Sequence, residues 1–137
     1  MMEIKPIKEE DTKKFRQSWE ESDKEKSISP EIKRLYLGAF IGNELVGYMK
    51  IKFRGGVGNL SSLIVQKNMR KKGIGRTLLN HFENISKEHS CHKLTLRTSE
   101  NHHTALSLYK NSGYVIEATF KNDKDHITWY QLCKHTI

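Results

Sequence analysis

The sequence predicts one α/β (α+β) domain with a mixed, mostly antiparallel central sheet of about seven strands flanked by helices. Short runs of alternating or continuous apolar residues, typical of strands, recur along the chain. Three of the intervals between them carry apolar residues at helical spacing. A chain of 137 residues can bury one substantial core but is short for two ordinary domains. We therefore expect residues 1–137 to form a single domain.

The first part of the chain predicts a strand, a helix and a loop. Met2 to Ile7 alternates weakly and predicts a first strand. Glu9 to Glu21 predicts a helix because Phe15 and Trp19, four residues apart, share a helical face. Asp23 to Pro30 is polar, ends in proline and predicts a loop.

Three strands are predicted to follow as an antiparallel meander. Leu35 to Ile41 and Leu45 to Phe53 are apolar or alternating, and the turn between them carries glycine and asparagine, which suits a hairpin. After a Gly-Gly pair, Val57 to Val65 predicts the third strand.

The second part alternates helices with strands. Apolar residues at helical spacing predict a helix from about Gly73 to about His89. Lys93 to Thr98 predicts a short strand, and His103 to Asn111 predicts a second amphipathic helix. Tyr114 to Phe120 and His126 to Cys133 predict the last two strands, joined by a polar turn.

Positive charge is concentrated after the first 34 residues. The net charge is +8, and residues 1–34 contain nine basic and nine acidic side chains, so the whole excess lies beyond them. Such an excess favours an anionic partner: a phosphorylated cofactor, nucleic acid or an acidic surface. Charge alone does not choose among these partners.

Composition also bears on location and metal binding. No apolar run approaches the roughly 20 residues that span a bilayer, and the N-terminus lacks the pattern of a signal peptide. We expect a cytoplasmic protein with no membrane partner. Cys91 and Cys133 lack the spacing of metal ligands, so we expect two free structural thiols and no metal site.

A basic, glycine-containing loop lies between the third predicted strand and the following helix. Its sequence is Arg70-Lys71-Lys72-Gly73-Ile74-Gly75. Free backbone N–H groups at a helix start attract anions, and glycines let a ligand approach the backbone. The spacing fits neither a Walker loop nor a dinucleotide fingerprint. Alternatively, the two glycines only permit close packing of helix on sheet, and the basic residues are a solvated face.

This loop, as RxxGxG, closely resembles the acyl-coenzyme A motif of the GNAT superfamily of N-acetyltransferases. A second block, from Asn101 to Tyr114, is similar to the family's "N..A...Y...GF" segment. The resemblance is strong over Leu60 to Tyr114 and generic in element order elsewhere. It implies direct transfer of an acetyl group from acetyl-CoA, as co-substrate, to an amine acceptor without an acyl-enzyme.

The resemblance also implies roles for individual residues. Tyr109 would be the general acid beside the coenzyme sulfur, and the Val65 backbone N–H would donate to the thioester oxygen. A tyrosine on an apolar helical face can also be only a core residue. The predicted cofactor-binding residues are Leu63, Ile64, Val65, Arg70, Lys71, Lys72, Gly73, Ile74, Gly75, Arg76, Thr77, Asn101, His102, Ala105 and Tyr109.

The sequence departs from the family pattern at two places. Many relatives carry a glutamate as base where this chain has Ser61; a water held by Ser61 or Ser62, or His102 or His103, could take the proton instead. An amine of low pKa would need little help. Counting back from Ala105, the family's asparagine falls on His102, with Asn101 one residue earlier, so both remain candidates.

Two other functions are weighed against the enzyme. A noncatalytic acyl-CoA-binding or regulatory module is suggested by the missing glutamate. Nucleic-acid binding ranks lowest, because the aromatic residues are not interleaved with basic ones as stacking platforms require. The acceptor, a small molecule or a peptide, stays open. A homodimer through an exposed strand edge is compatible with the pattern.

Overall fold

A computed structural model describes residues 2–26 and 32–136. These residues fall into two compact units, divided between Glu31 and Ile32. The smaller unit contains a 3-10 segment, Glu9–Phe15, which continues into helix α1, Arg16–Glu25. The start of the 3-10 segment is stabilised by the Lys8 backbone N–H, which donates to Asp11 Oδ2 at 2.9 Å.

The first predicted strand was wrong. Residues 2–8 adopt no regular structure and pair with no strand among the described residues. The alternation from Met2 to Ile7 is weak, and Pro6 lacks the N–H that a sheet ladder needs. The helix was predicted, but it ends at Glu25 rather than Glu21, so the predicted Asp23 to Pro30 loop begins as helix. Residues 27–31 lie outside the described residues.

The larger unit is built on a six-stranded sheet, one strand fewer than expected. Its strands are β1 (Lys33–Ile41), β2 (Glu44–Arg54), β3 (Val57–Val65), β4 (Lys93–Ser99), β5 (Val115–Phe120) and β6 (Trp129–His135). They lie in the order β1-β2-β3-β4-β6-β5, and every neighbouring pair is antiparallel except β3 and β4. The predicted class, a mixed and mostly antiparallel sheet flanked by helices, is confirmed.

Two helices connect the strands of the larger unit. Helix α2 (Ile74–Glu88) joins the parallel strands β3 and β4, as a parallel pair requires. Helix α3 (His103–Asn111) follows β4. The last strand starts at Trp129 rather than His126, because residues 124–126 form a 3-10 turn in which Asp125 has a positive φ of 60°.

Both helices contribute to one apolar core against the sheet. Every second residue of β2 points into it, which explains the alternating burial of that strand. The buried apolar members are Met49, Ile51, Phe53, Leu60, Leu78, Leu79, Phe82, Cys91, Leu94, Leu96, Tyr109, Tyr114 and Leu132.

Helix α2 lies very close to β3 at Gly58. A Cβ at this glycine would lie 2.6 Å from Ser86 Oγ, which is too close for real atoms. Ser86 is fully buried, and its hydroxyl has no hydrogen-bond partner within the described residues. Because Gly58 has no side chain, it leaves room for the Ser86 hydroxyl of α2, which is buried without a hydrogen bond to the described residues.

We expect Gly58→Ala to lower the free energy of unfolding by about 1–3 kcal/mol, because the added methyl group overpacks this contact. Ser86→Ala alone should be neutral or slightly stabilising, since it removes an unpaired buried hydroxyl. In the double variant the 2.6 Å contact is gone. Urea denaturation of all four proteins measures the coupling; strictly additive effects would contradict the packing account.

Candidate active site

The central feature of the site is a gap in the sheet between β3 and β4. These parallel strands pair from Val57 and Lys93 as far as Leu60 and Leu96. Beyond that point β3 continues to Val65 and β4 to Ser99 without pairing to one another. Strand β3 remains paired with β2, and β4 with β6, so the two halves of the sheet diverge.

A β-bulge lies where the strands part. Lys50 of β2 pairs with Ser62 and Ile51 pairs with Leu60, so Ser61 is the extra residue of β3. A bulge bends its strand and increases the local twist. The bulge directly after Leu60 thus accounts for the turn of β3 away from β4.

The amide groups that face the gap can be assigned from the pairing of β3 with β2. The Gln66 N–H donates to Val46 O at 2.9 Å, so the amide of Gln66 points toward β2. Along an extended strand successive amides point to opposite sides. The amide of Ile64 therefore faces β2 as well, whereas those of Leu63 and Val65 face the gap. Two of the three predicted cofactor-binding residues of β3 thus present backbone groups there.

Side chains join the two strands just before they part. Asn59 Nδ2 donates to Thr95 Oγ1 at 2.9 Å, across the parallel pair. The Ser61 hydroxyl donates to Asn59 Oδ1 at 2.8 Å. The serine at the expected glutamate position is thus hydrogen-bonded to Asn59. The lone pairs of its oxygen can still accept a hydrogen bond from a ligand.

The basic loop leads directly from the end of β3 to the start of α2. Gly73 is the N-cap of α2, with a left-handed φ of 80° and no side-chain capping bond. The first turn is closed by Thr77 N–H, which donates to Gly73 O at 3.0 Å. The N–H groups before Thr77 have no partner within the helix, and a left-handed residue before a helix turns them toward one point. This arrangement suits an anion.

Basic side chains surround that helix start. Arg70, Lys71, Lys72 and Arg76 are all exposed. Arg70 Nε donates to Val65 O at 3.1 Å, which ties the loop to the end of β3. The loop predicted to bind an anion is therefore in direct contact with Val65, whose N–H is predicted to donate to the thioester oxygen.

Helix α3 lies beside the start of α2. A Cβ on Gly75 would lie 3.6 Å from Leu108 Cδ2, an ordinary van der Waals distance. Gly75 therefore faces α3, whereas no atom lies within 4 Å of the Cβ position of Gly73. Ala105 and Tyr109, four residues apart on α3, belong to the apolar core or pack against it.

The phenol of Tyr109 is well suited to hold a proton. The residue is 6% exposed, and no hydrogen-bond partner for its hydroxyl occurs in the described part of the chain. Burial raises the pKa of Tyr109 above its usual value of about 10. The hydroxyl is therefore protonated at neutral pH, as a general acid must be before it acts.

A polar cluster next to Tyr109 was not predicted. Tyr114 donates its hydroxyl hydrogen to Glu83 Oε1 at 3.2 Å, and Lys134 Nζ lies 3.3 Å from the same oxygen. Burial, followed by the charge of Glu83, raises the pKa of Tyr114. No local pattern predicts the cluster, because Glu83 and Lys134 are 51 residues apart.

The two candidates for the family's asparagine position differ in structure. His102 is the N-cap of α3, and its Nδ1 lies 2.7 Å from the hydroxyl oxygen of buried Ser99. Asn101 lies in the exposed turn before it. His102 is thus the residue held at the helix start.

Comparison with known proteins identifies the family. The model of the "Acetyltransferase (GNAT) family" matches residues 4–114, which is most of the chain. The chain belongs to the GNAT acetyltransferase family. The resemblance found in the sequence is thereby confirmed, and the predicted co-substrate, acetyl-CoA, is that of the family.

The chain is also similar to individual proteins. The spermidine N(1)-acetyltransferase of Thermoplasma acidophilum is 27% identical over 120 residues, which cover 82% of this chain and 74% of that protein. A crystal structure of an acetyltransferase from Bacillus cereus ATCC 14579 matches with a TM-score of 0.85 at 16% identity, over 98% of each chain. A structure from Bacillus anthracis str. Ames, solved in complex with acetyl coenzyme A, matches with a TM-score of 0.70 at 19% identity, over 76% of this chain and 63% of that one.

The cysteines and the helices bear on the remaining expectations. Cys91 and Cys133 are free and buried, as predicted. Across residues 2–26 and 32–136, no three His, Cys, Asp or Glu side chains are grouped as metal ligands would be. None of the helices in these ranges has the length and apolar character needed to cross a membrane.

The two loop glycines should differ in what they tolerate. We expect Gly73→Ala to lower the free energy of unfolding by about 1–2 kcal/mol, because alanine is strained at a left-handed φ. Gly75→Ala should cost less, since its backbone is not left-handed and its methyl group would meet Leu108 at an ordinary distance. Chemical denaturation measures both; a larger loss for Gly75→Ala would contradict the assigned N-cap.

Burial of Tyr109 should appear in the alkaline stability of the protein. Its pKa is raised in the folded state, so above about pH 10 the unfolded chain loses the proton first and the free energy of unfolding falls as pH rises. Tyr109→Phe should show a shallower fall above pH 10, measured by urea denaturation between pH 9 and 11. A variant of exposed Tyr36 is the control, and equal slopes for Tyr109→Phe and the wild type would refute the effect.

Proposed function

We propose that this GNAT family member transfers the acetyl group of acetyl-CoA directly to an amine acceptor within a ternary complex. The observation that carries the proposal is the gap between β3 and β4, faced by the amides of Leu63 and Val65 and bordered by the free start of α2. The unpaired edge of β3 is followed by an anion site at the start of α2. This combination suits an extended ligand that ends in phosphates.

The residues present fit such a ligand. The N–H groups at the start of α2, with Arg70, Lys71, Lys72 and Arg76 nearby, would hold a pyrophosphate. Leu63 and Val65 would hydrogen-bond the pantetheine arm as an added strand does. The remaining predicted contacts, from Ile74 and Thr77 on α2 to His102 and Ala105 at α3, lie on the two helices that border this region.

Two groups would perform the chemistry. Bound acetyl-CoA supplies an acyl thioester whose carbonyl carbon an amine can attack. The Val65 N–H would donate to the carbonyl oxygen as negative charge develops on it. The Tyr109 hydroxyl would give its proton to the departing thiolate, while the attacking nitrogen loses a proton to water or to a base. Ser61, whose hydroxyl hydrogen is engaged by Asn59, would accept a hydrogen bond rather than a proton.

The same proposal extends to the organisation of the chain. Because the family's model spans residues 4–114, it includes residues of both compact units, and we propose that residues 1–137 act as one acyltransferase domain. A homodimer and a cytoplasmic location remain predictions. Strands β1 and β5 form the two sheet edges through which a dimer would pair.

A thiol-release assay tests the proposal. We expect acetyl-CoA to release free thiol in the presence of one class of amine; spermidine is the first compound to try, because a relative bears that name. Tyr109→Phe should lower kcat by about 10²- to 10⁴-fold, the usual contribution of general acid catalysis. Tyr36→Phe, on β1 and two strands from the gap, is the matched control.

The outcomes separate the two candidate functions. Thiol release that depends on an amine and falls in Tyr109→Phe supports transfer. Acetyl-CoA binding by calorimetry, without thiol release for any amine or peptide tested, would favour a noncatalytic binding module. An absence of acetyl-CoA binding at millimolar concentration would exclude both.

A further inference from the structure

A half-buried ion pair joins the middle of α2 to β6. Lys134 Nζ lies 3.3 Å from both carboxylate oxygens of Glu83, and it donates to Ser112 O at 2.9 Å. The two side chains are 35% and 18% exposed. The three acceptors match the three N–H donors of the ammonium group, so its position is closely specified.

Lys134 is also bound to the end of α3. Ser112 is the C-cap of that helix, where a cation is favoured by the helix dipole. The ammonium lies 5.6 Å from the centre of the Tyr114 ring, and the Tyr114 hydroxyl donates to Glu83. Four side chains or backbone groups from α2, α3, β6 and the turn after α3 therefore meet at one point.

This cluster contacts Tyr109 through Tyr114. The Tyr114 N–H donates to Tyr109 O at 3.0 Å. The two rings meet edge to face, with centroids 6.1 Å apart. Tyr114 is only 2% exposed, so it cannot move without breaking these contacts. Both the backbone and the ring of Tyr109 are thus held by a residue that the ion pair holds.

We propose that Glu83 and Lys134 are positioning residues, which act through Tyr114 to fix the ring of Tyr109 in the orientation needed for proton transfer. The inference rests on the proposed role of Tyr109. A displacement of about 1 Å in a catalytic group can cost up to about 10²-fold in rate, so a remote ion pair can matter to catalysis.

A second ion pair in the chain provides a matched control. Lys93 Nζ lies 2.6 Å from Glu117 Oε1, and the side chains are 26% and 24% exposed, close to the first pair. Glu117 also accepts from Gln131 at 2.8 Å. These contacts stay among β4, β5 and β6 and do not include Tyr109 or Tyr114.

The test compares Lys134→Met with Lys93→Met. We expect Lys134→Met to lower kcat about 10-fold while KM for acetyl-CoA changes less than about 2-fold, because the group displaced acts in the reaction and not in binding. Lys93→Met should leave kcat unchanged at a similar loss of stability. Lys134→Arg, which keeps the cation, should recover most of kcat. Equal effects of Lys134→Met and Lys93→Met on kcat would overturn the proposal.

A double-mutant cycle separates positioning from general damage. In a Tyr109→Phe background, Lys134→Met should reduce kcat no further, because the hydroxyl that it positions is absent. A full additional 10-fold loss would overturn the proposal. If Lys134→Met does not fold, Glu83→Gln, which preserves an acceptor for Tyr114, takes its place in both experiments.

A spectroscopic readout keeps this inference distinct from the proposed function. With ¹³C-labelled tyrosine, the ring signal of Tyr109 should shift or broaden in Lys134→Met and not in Lys93→Met, without any substrate present. An unchanged Tyr109 signal would overturn the positioning role. If the signal changes but Tyr109→Phe keeps wild-type kcat, the cluster does hold the Tyr109 ring, but the general-acid role and the catalytic purpose of the positioning are both wrong.

Discussion

The site depends on the point at which two parallel strands stop pairing. Leu60 and Leu96 form the last pair between β3 and β4, and the bulge at Ser61 follows at once. Both leucines are buried, so the core holds the strands together up to this position. Beyond it, each strand is held by its other neighbour, and the amides of β3 are left facing an opening rather than a partner. A continuous ladder would have closed the site.

Both helices of the larger unit begin near that opening, because each follows one of the two diverging strands. Helix α2 must cross from β3 to β4, so its first turn necessarily lies near the end of β3 where pairing has ceased. The bond from Arg70 to Val65 O fixes the intervening loop. Leu108 of α3 then packs beside Gly75, so α3 lies against the start of α2. Connectivity and packing therefore assemble groups from three segments.

Local sequence patterns predicted most strands and helices of the larger unit. They did not predict contacts between residues far apart in the sequence. The alternation in β2 and the helical repeat in α2 report burial directly, so these elements were predicted within one or two residues. The strand predicted for Met2 to Ile7 was wrong, because a weak alternation of apolar residues does not by itself provide a strand to pair with. The glycine loop was predicted from its own residues, whereas the Glu83 cluster depends on a contact across 51 positions. Nothing in either local sequence distinguishes those side chains from ordinary surface charges.

The position of the gap also determines how open its strand edges are to other chains. Unpaired strand edges invite pairing with other chains, yet a protein that captures an extended ligand must keep one open. Here the open edge lies inside the sheet, between β3 and β4. A strand of another sheet could reach it only by separating β3 from β4, which are paired up to Leu60 and Leu96. Near the outer edges, the pairings of β1 and β5 with their neighbours are interrupted by bulges at Ala39/Phe40 and Ile116/Ala118, which weaken a flat template. The internal edge is therefore shielded from a second sheet, and among the described strands pairing with another chain is left to the outer edges of β1 and β5.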